Sequence, residues 1–250
     1  MHHWPCADPR YVVVVAHGYG EHAGRYDHVA MALVHDGASV YAPDHAGHGE
    51  SGGDRALVTS FDDLIADLKT VVTRAGDAHP GLPVVLIGHS MGGLIATRYA
   101  QLHGAGLGAL VLSGPAIGDN PLLAALLELD PIPDVPIDPE ILSRDPAVGE
   151  AYASDPLVYH GPFQRDTLRS FVTTIGEIAA GPALGDLPTL WIHGSDDALA
   201  PLDATREAVE RIAGPRLEQK VYPGARHEIF NETNQDEVIG DVVAFIGRVV

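Results

Sequence analysis

The sequence predicts a doubly wound α/β domain with a mostly parallel sheet and one helical insertion. Three observations predict it. Short β-branched apolar runs alternate with segments of helical period along most of the chain. The early runs are apolar at consecutive positions, as in strands covered on both faces. One long stretch in the middle breaks the alternation. With 250 residues and 46% apolar content, the chain can build one large core.

The elements follow in order. Residues 11–16 form the first buried strand, which ends in the turn His17-Gly18-Tyr19-Gly20. Residues 29–35 are helical, 38–42 make a second strand, and 47–54 are a glycine-rich loop. Residues 61–74 carry Leu64, Leu68, Val71 and Val72 at helical spacing, with Asp62 and Asp63 in the first turn, where the helix dipole favours acids. Strand 83–87 runs through a sharp turn at 88–92 into helix 94–102. Strand 109–112 is closed by Gly114-Pro115. Beyond the insertion come strand 189–193, helix 204–212, strand 218–222 and a closing helix, 236–249.

Between residues 117 and 185 no strand is expected. Proline and aspartate are dense from Asp130 to Pro146, and two helices are expected, at 122–129 and 167–178. Long insertions between strands tend to carry function. The expected organisation is therefore a core of residues 1–116 and 186–250, with a helical cap of residues 117–185 lying over the site.

Charge and composition narrow the function classes. Acidic residues outnumber basic ones 34 to 15, and a net charge of −19 disfavours nucleic acid. Cys6 is the single cysteine, so no internal disulfide forms. No signal peptide is legible, no apolar run is long enough to span a bilayer, and a cytoplasmic setting is expected. Gly18, Gly20 and Gly24 miss the G-x-G-x-x-G spacing by one residue, so no dinucleotide is expected. Asp44, His45 and His48 lack further clustered ligands, so neither a metal nor any other cofactor is expected.

The chemistry is concentrated in four places. Gly88-His89-Ser90-Met91-Gly92 fits G-x-S-x-G between a strand and a helix, the nucleophile elbow, with Ser90 as nucleophile. A serine hydroxyl needs a base to remove its proton, and His227, in the loop after the last strand, is the candidate. An acid must hold that imidazole. Asp197 in His193-Gly194-Ser195-Asp196-Asp197 is preferred over Asp196 and completes the order serine, acid, histidine. The backbone N–H groups of Met91 and Tyr19 are the expected oxyanion hole.

Longer motifs add a resemblance. His17-Gly18-Tyr19-Gly20-Glu21-His22-Ala23-Gly24-Arg25-Tyr26, Asp44-His45-Ala46-Gly47-His48-Gly49-Glu50-Ser51 and His89-Ser90-Met91-Gly92-Gly93 resemble signatures of the monoacylglycerol lipase family of α/β-hydrolases. Ser143-Arg144-Asp145-Pro146 and Tyr152-Ala153-Ser154-Asp155-Pro156-Leu157 resemble its cap motifs, and the likeness runs from about Tyr11 to the C-terminus. It implies the α/β-hydrolase fold and hydrolysis of a monoacylglycerol to glycerol and fatty acid. By position, Glu21, Arg25, His89 and Tyr152 would line or support a pocket for the glycerol head. A structural ion pair of Glu21 with Arg25 is the alternative. The resemblance also implies transient membrane-surface contact through an apolar cap, with Leu122, Leu123, Leu126 and Leu127 as candidates. Two departures stand out. Only about ten residues precede Tyr11, so the expectation is that the first strand of the family's initial antiparallel pair is missing or the chain is truncated, with an exposed edge. Tyr19 is also bulkier than the usual oxyanion-loop residue. The other readings are a broader carboxylesterase or lysophospholipase, a carbon–carbon bond hydrolase, and a non-catalytic binding protein on the same fold.

Overall fold

A computed structural model describes residues 1–134 and 137–250. Seven strands form one sheet in the order β1-β3-β2-β4-β5-β6-β7. They are β1 (His2–Trp4), β2 (Tyr11–Ala16), β3 (Ala38–Ala42), β4 (Val84–His89), β5 (Ala109–Ser113), β6 (Thr189–Gly194) and β7 (Leu217–Tyr222). All neighbouring pairs are parallel except β1 with β3.

The continuous apolar runs have a simple cause. Successive side chains of a strand point to opposite faces. Val12 and Val14 enter one core layer, and Val13 and Val15 enter the other. The first layer holds α2 (Phe61–Ala78), α3 (Met91–His103) and α7 (Leu202–Ile212); the second holds α1 (Asp27–His35) and α8 (Gln235–Val249). On α2 the buried residues Phe61, Leu64, Ile65, Leu68, Val72 and Ala75 fall on one stripe at 3.6-residue spacing. The two edge strands are the exceptions: β1 has no buried residue and β7 buries only Tyr222.

Strand β1 escapes sequence reading. It is three residues long, and its registry comes from a distant partner, with His2 opposite Ala42 and Trp4 opposite Val40. A His3–Ser39 hydrogen bond of 3.0 Å and a Trp4–Asp27 bond of 3.1 Å secure it. One antiparallel strand therefore precedes β2, and it covers the edge of β3.

Between β5 and β6 lie α4 (Pro121–Leu127), a 3-10 turn at Pro139–Ile141, α5 (Pro146–Ser154) and α6 (Arg165–Ala180). The proline-rich stretch between Asp130 and Pro146 includes residues 135 and 136, which lie outside the described residues. Helix α5 is an addition to the expected elements. Asp145 caps it, accepting from Ala147 N at 3.0 Å, and Pro146 opens its first turn. Helix α6 sends Phe171 and Ile178 into the first core layer, whereas α4 buries no residue fully. Among the described residues no helix is long and apolar enough to cross a membrane.

Candidate active site

The carboxyl ends of β2, β4, β6 and β7 bring the site together. The chain leaves β2 toward β3 and returns on its other side at β4, and such a reversal opens a crevice at the strand ends. Ser90 sits there, between β4 and α3, with φ 53° and ψ −118°. A non-glycine residue in this region costs about 1–3 kcal/mol and persists only where its surroundings enforce it. Ser90 N donates to Ser113 O at 3.0 Å, and Ser90 O accepts from Leu94 N and Ala116 N, both at 3.1 Å. The glycines of the elbow are steric necessities. A Cβ on Gly92 would lie 2.0 Å from Ala16 O, and one on Gly88 would lie 2.3 Å from Gly92 O.

His227 is buried in the loop after β7. Its Nε2 lies 2.8 Å from Ser90 Oγ, and its Nδ1 lies 2.8 Å from Asp197 Oδ2. A carboxylate can only accept, so Nδ1 carries the proton and Nε2 accepts from the serine hydroxyl. Asp197 Oδ1 is occupied by Leu199 N at 2.9 Å and Ala200 N at 2.8 Å. Burial works against the charge on Asp197, but His227 and these donors outweigh it and hold the carboxyl below its ordinary value. Burial likewise disfavours a charged His227, and Asp197, with Glu228 and Glu21 behind it, reverses the balance and raises its pKa above 6.5.

The neighbouring candidates have other partners, and His193 Nε2 also lies 3.3 Å from Asp197 Oδ2. Asp196 is exposed and accepts from Ser195 Oγ at 2.7 Å. His193 accepts from Trp191 Nε1 at 3.2 Å, so its Nε2–H donates to Ala200 O at 2.8 Å. His17 donates from Nδ1 to Gly18 O and accepts His45 N on Nε2, which fixes the loop after β2. Asp44 accepts from Ala23 N and Glu50 N. Among the described residues no cluster of His, Cys, Asp or Glu is arranged to hold a metal.

Tyr19 lines the same cavity as Ser90, and Met91 follows Ser90 at the start of α3. Gly18 N is consumed by Glu21 Oε1 at 2.6 Å, whereas no protein acceptor among the described residues takes the Tyr19 or Met91 N–H. The Tyr19 ring stacks on Phe163 with centroids 4.9 Å apart and forms part of the cavity wall.

A cavity opens at Ser90 and His227. Leu122, Leu123, Leu126, Leu142, Phe163 and Phe171 give it an apolar lining. Glu21, Tyr152 and Glu228, which gather around Arg25, and His89 add polar groups to the same lining. Burial and the nearby His227 lower the His89 pKa to about 4, so its ring is neutral at pH 7; Nδ1 lies 3.1 Å from both Ser113 O and Ser113 Oγ. Arg25 stands behind this lining. It bonds Glu21 at 2.8 Å and grips both oxygens of Glu228 at 2.7 Å, with its guanidinium 5.1 Å from the Tyr152 ring centre. Glu21 and Arg25 thus form an ion pair that also supports the pocket. Glu228 is the residue that sequence reasoning missed. It follows His227 directly, but its partner Arg25 lies 203 positions away.

The insertion is fastened to the His227 loop. Glu228 N donates to Leu142 O at 2.8 Å, Ser143 Oγ donates to Asn231 O at 2.9 Å, and Arg226 Nη1 donates to Ser143 O at 2.8 Å. Buried Glu232 accepts Arg144 Nε at 2.9 Å and Arg226 N at 2.7 Å.

A family model described as serine aminopeptidase, S33 matches residues 7–234. A monoacylglycerol lipase of Mycolicibacterium smegmatis is 41% identical over 251 residues, spanning 97% of this chain and 90% of that protein. The crystal structure of Paleococcus ferrophilus monoacylglycerol lipase is similar with a TM-score of 0.86 at 27% identity, covering 100% of this chain and 99% of that one. A thermostable carboxyl esterase from Bacillus coagulans in complex with glycerol is similar with a TM-score of 0.82 at 27% identity, covering 99% and 93%.

Proposed function

The chain belongs to the serine aminopeptidase S33 family and has the α/β-hydrolase fold, and from that premise we propose that it hydrolyses monoacylglycerols to glycerol and a free fatty acid. The observation that carries this reading is the mixed lining of the cavity at Ser90: apolar side chains from α4 and α6, and a polar group gathered around Arg25. An apolar arm suits a single acyl chain, and a compact polar cluster suits a small polyol.

In the proposed reaction, Ser90 Oγ attacks the ester carbonyl while His227 Nε2 takes its proton. Asp197 holds the Nδ1–H tautomer and stabilises the imidazolium. The Tyr19 and Met91 N–H groups receive the oxyanion, and each such donor contributes about 3 kcal/mol to transition-state binding. The C–O bond breaks, His227 returns the proton to the glycerol oxygen, and an acyl-serine remains. Water then attacks, gives its proton to His227, and releases the fatty acid as Ser90 regains its hydrogen. Glu228, His89 and Tyr152 contact the head group, and Arg25 with Glu21 holds them in place. Residues 117–185 act as the cap, with α4 walling the acyl arm.

The purified protein tests the reading through its rates on monoacylglycerol, diacylglycerol, triacylglycerol and lysophosphatidylcholine carrying one acyl chain. Monoacylglycerol is expected to lead. A clear preference for the lysophospholipid would overturn it in favour of a lysophospholipase.

Activity should depend on pH through His227, which must be neutral to accept the serine proton. Because its pKa is raised, kcat/KM is expected to fall as the pH drops through a midpoint above 6.5. A pH profile with its acid midpoint below 6.5 would contradict the electrostatics described above.

The proposed enzyme works from the cytoplasm and touches a membrane only at its surface, where its substrate resides. Leu122 on α4, 55% exposed and lining the acyl arm, provides the apolar contact.

A further inference from the structure

Among the residues lining the cavity are two carboxylates, Glu21 and Glu228, and no lysine or arginine. The Arg25 guanidinium lies behind them and is spent on both: one bond to Glu21 and a two-pronged grip on Glu228. Counted together, the three side chains carry a net charge of −1, and their side chains are 4%, 6% and 10% exposed. Glu21 accepts from Gly18 N, Tyr26 Oη and Arg25 and lines the cavity. Glu228 accepts from Arg25 and Asn231 and still faces the cavity. The head-group end is therefore rich in acceptors, carries excess negative charge, and is screened little by water or salt.

We propose that Glu228, backed by Glu21, sets head-group specificity by charge, admitting neutral polyol esters and turning away acylglycerols whose head group carries a phosphate. Hydroxyl groups of a polyol donate to the carboxylate. A phosphate brings no donor to it and a second negative charge beside it. At ~5 Å and an effective dielectric of about 20, one such charge pair changes relative rates by on the order of 100-fold. The inference rests on the proposed monoacylglycerol reaction and adds to it the basis on which head groups are sorted.

Three substrates with the same acyl chain test it: a 1-monoacylglycerol, its 3-phosphate, and the uncharged dimethyl ester of that phosphate. They are compared by kcat/KM in the wild type and in Glu228→Gln, a substitution of equal size. The wild type is expected to cleave the dimethyl ester within about tenfold of the monoacylglycerol and the free phosphate about 100-fold more slowly. In Glu228→Gln the gap between phosphate and dimethyl ester should narrow at least tenfold. Equal rejection of the dimethyl ester and the phosphate by the wild type would show exclusion by size and overturn the proposal, as would an unchanged gap in a folded Glu228→Gln. If that variant does not fold, the wild-type pair decides alone. A wild type that cleaves 4-nitrophenyl butyrate but not the monoacylglycerol would overturn the proposed function instead, so the two failures are distinct.

Discussion

Replacing Asp197 with asparagine is expected to lower kcat by on the order of 10⁴-fold while leaving the fold intact. The local hydrogen bonds dictate how the amide must sit. Leu199 N and Ala200 N both donate to the oxygen at the Oδ1 position, so the amide oxygen is held there. The NH₂ group then occupies the Oδ2 position, 2.8 Å from His227 Nδ1. Two donors cannot share that contact, so Nδ1 must become the acceptor and the ring proton moves to Nε2. Nε2–H then faces Ser90 Oγ, where a base is needed. Asp196→Asn should leave kcat within about twofold, since its exposed carboxylate contacts only the hydroxyl of Ser195, a surface arrangement of little energetic weight. Steady-state kinetics of the two variants, with melting curves beside them, make the comparison. A severe Asp196→Asn and a mild Asp197→Asn would reverse the assignment.

Ser90→Ala is expected to cost more, on the order of 10⁶-fold in kcat, and to abolish labelling by a fluorophosphonate. The residual rate would come from substrate binding and the oxyanion donors alone. Stability should barely change, because the only side-chain hydrogen bond lost is the one to His227 Nε2, while the backbone bonds to Ser113, Leu94 and Ala116 remain. Loss of activity together with a large drop in Tm would point to a structural role for Ser90. Retained activity or retained labelling would move the nucleophile elsewhere.

Much of this arrangement was legible in the chain, for physical reasons that differ by residue. The elbow announces itself through the spacing of its glycines, although only Gly88 clears its own turn, while Gly92 makes room for Ala16 and His17 at the end of β2. The central strands are visible because both faces are buried, so no polar residue interrupts them. Asp197 and His227 were readable as loop residues after strands, although only the order of β6 and β7 in the sheet brings them to Ser90. What escaped depends on distant partners. Strand β1 is held by β3 and not by its own three residues. Helix α5 is hidden in a stretch rich in proline and aspartate, although Asp145-Pro146 carries a capping signal. Glu228 acquires its meaning only from Arg25. Helix α6 lies within the insertion, yet it sends Phe171 and Ile178 into the first core layer, a contact that its position in the chain does not announce.

The hydrogen bonds between residues 142–145 and the His227 loop bear on how such an enzyme can be re-engineered. An insertion between β5 and β6 invites treatment as a detachable module, to be exchanged between relatives for a new specificity. Here its middle is stitched to the general base. Leu142 O holds Glu228 N, and Glu232 grips Arg144 and the backbone just before His227. A graft that replaces 117–185 alone severs these bonds and leaves the carboxylate of Glu232, 1% exposed, without its cationic partner. The transplantable unit is discontinuous, with residues 142–145 and 225–232 travelling together. The surface that offers freedom to vary is α4, which faces the acyl arm and buries no residue fully.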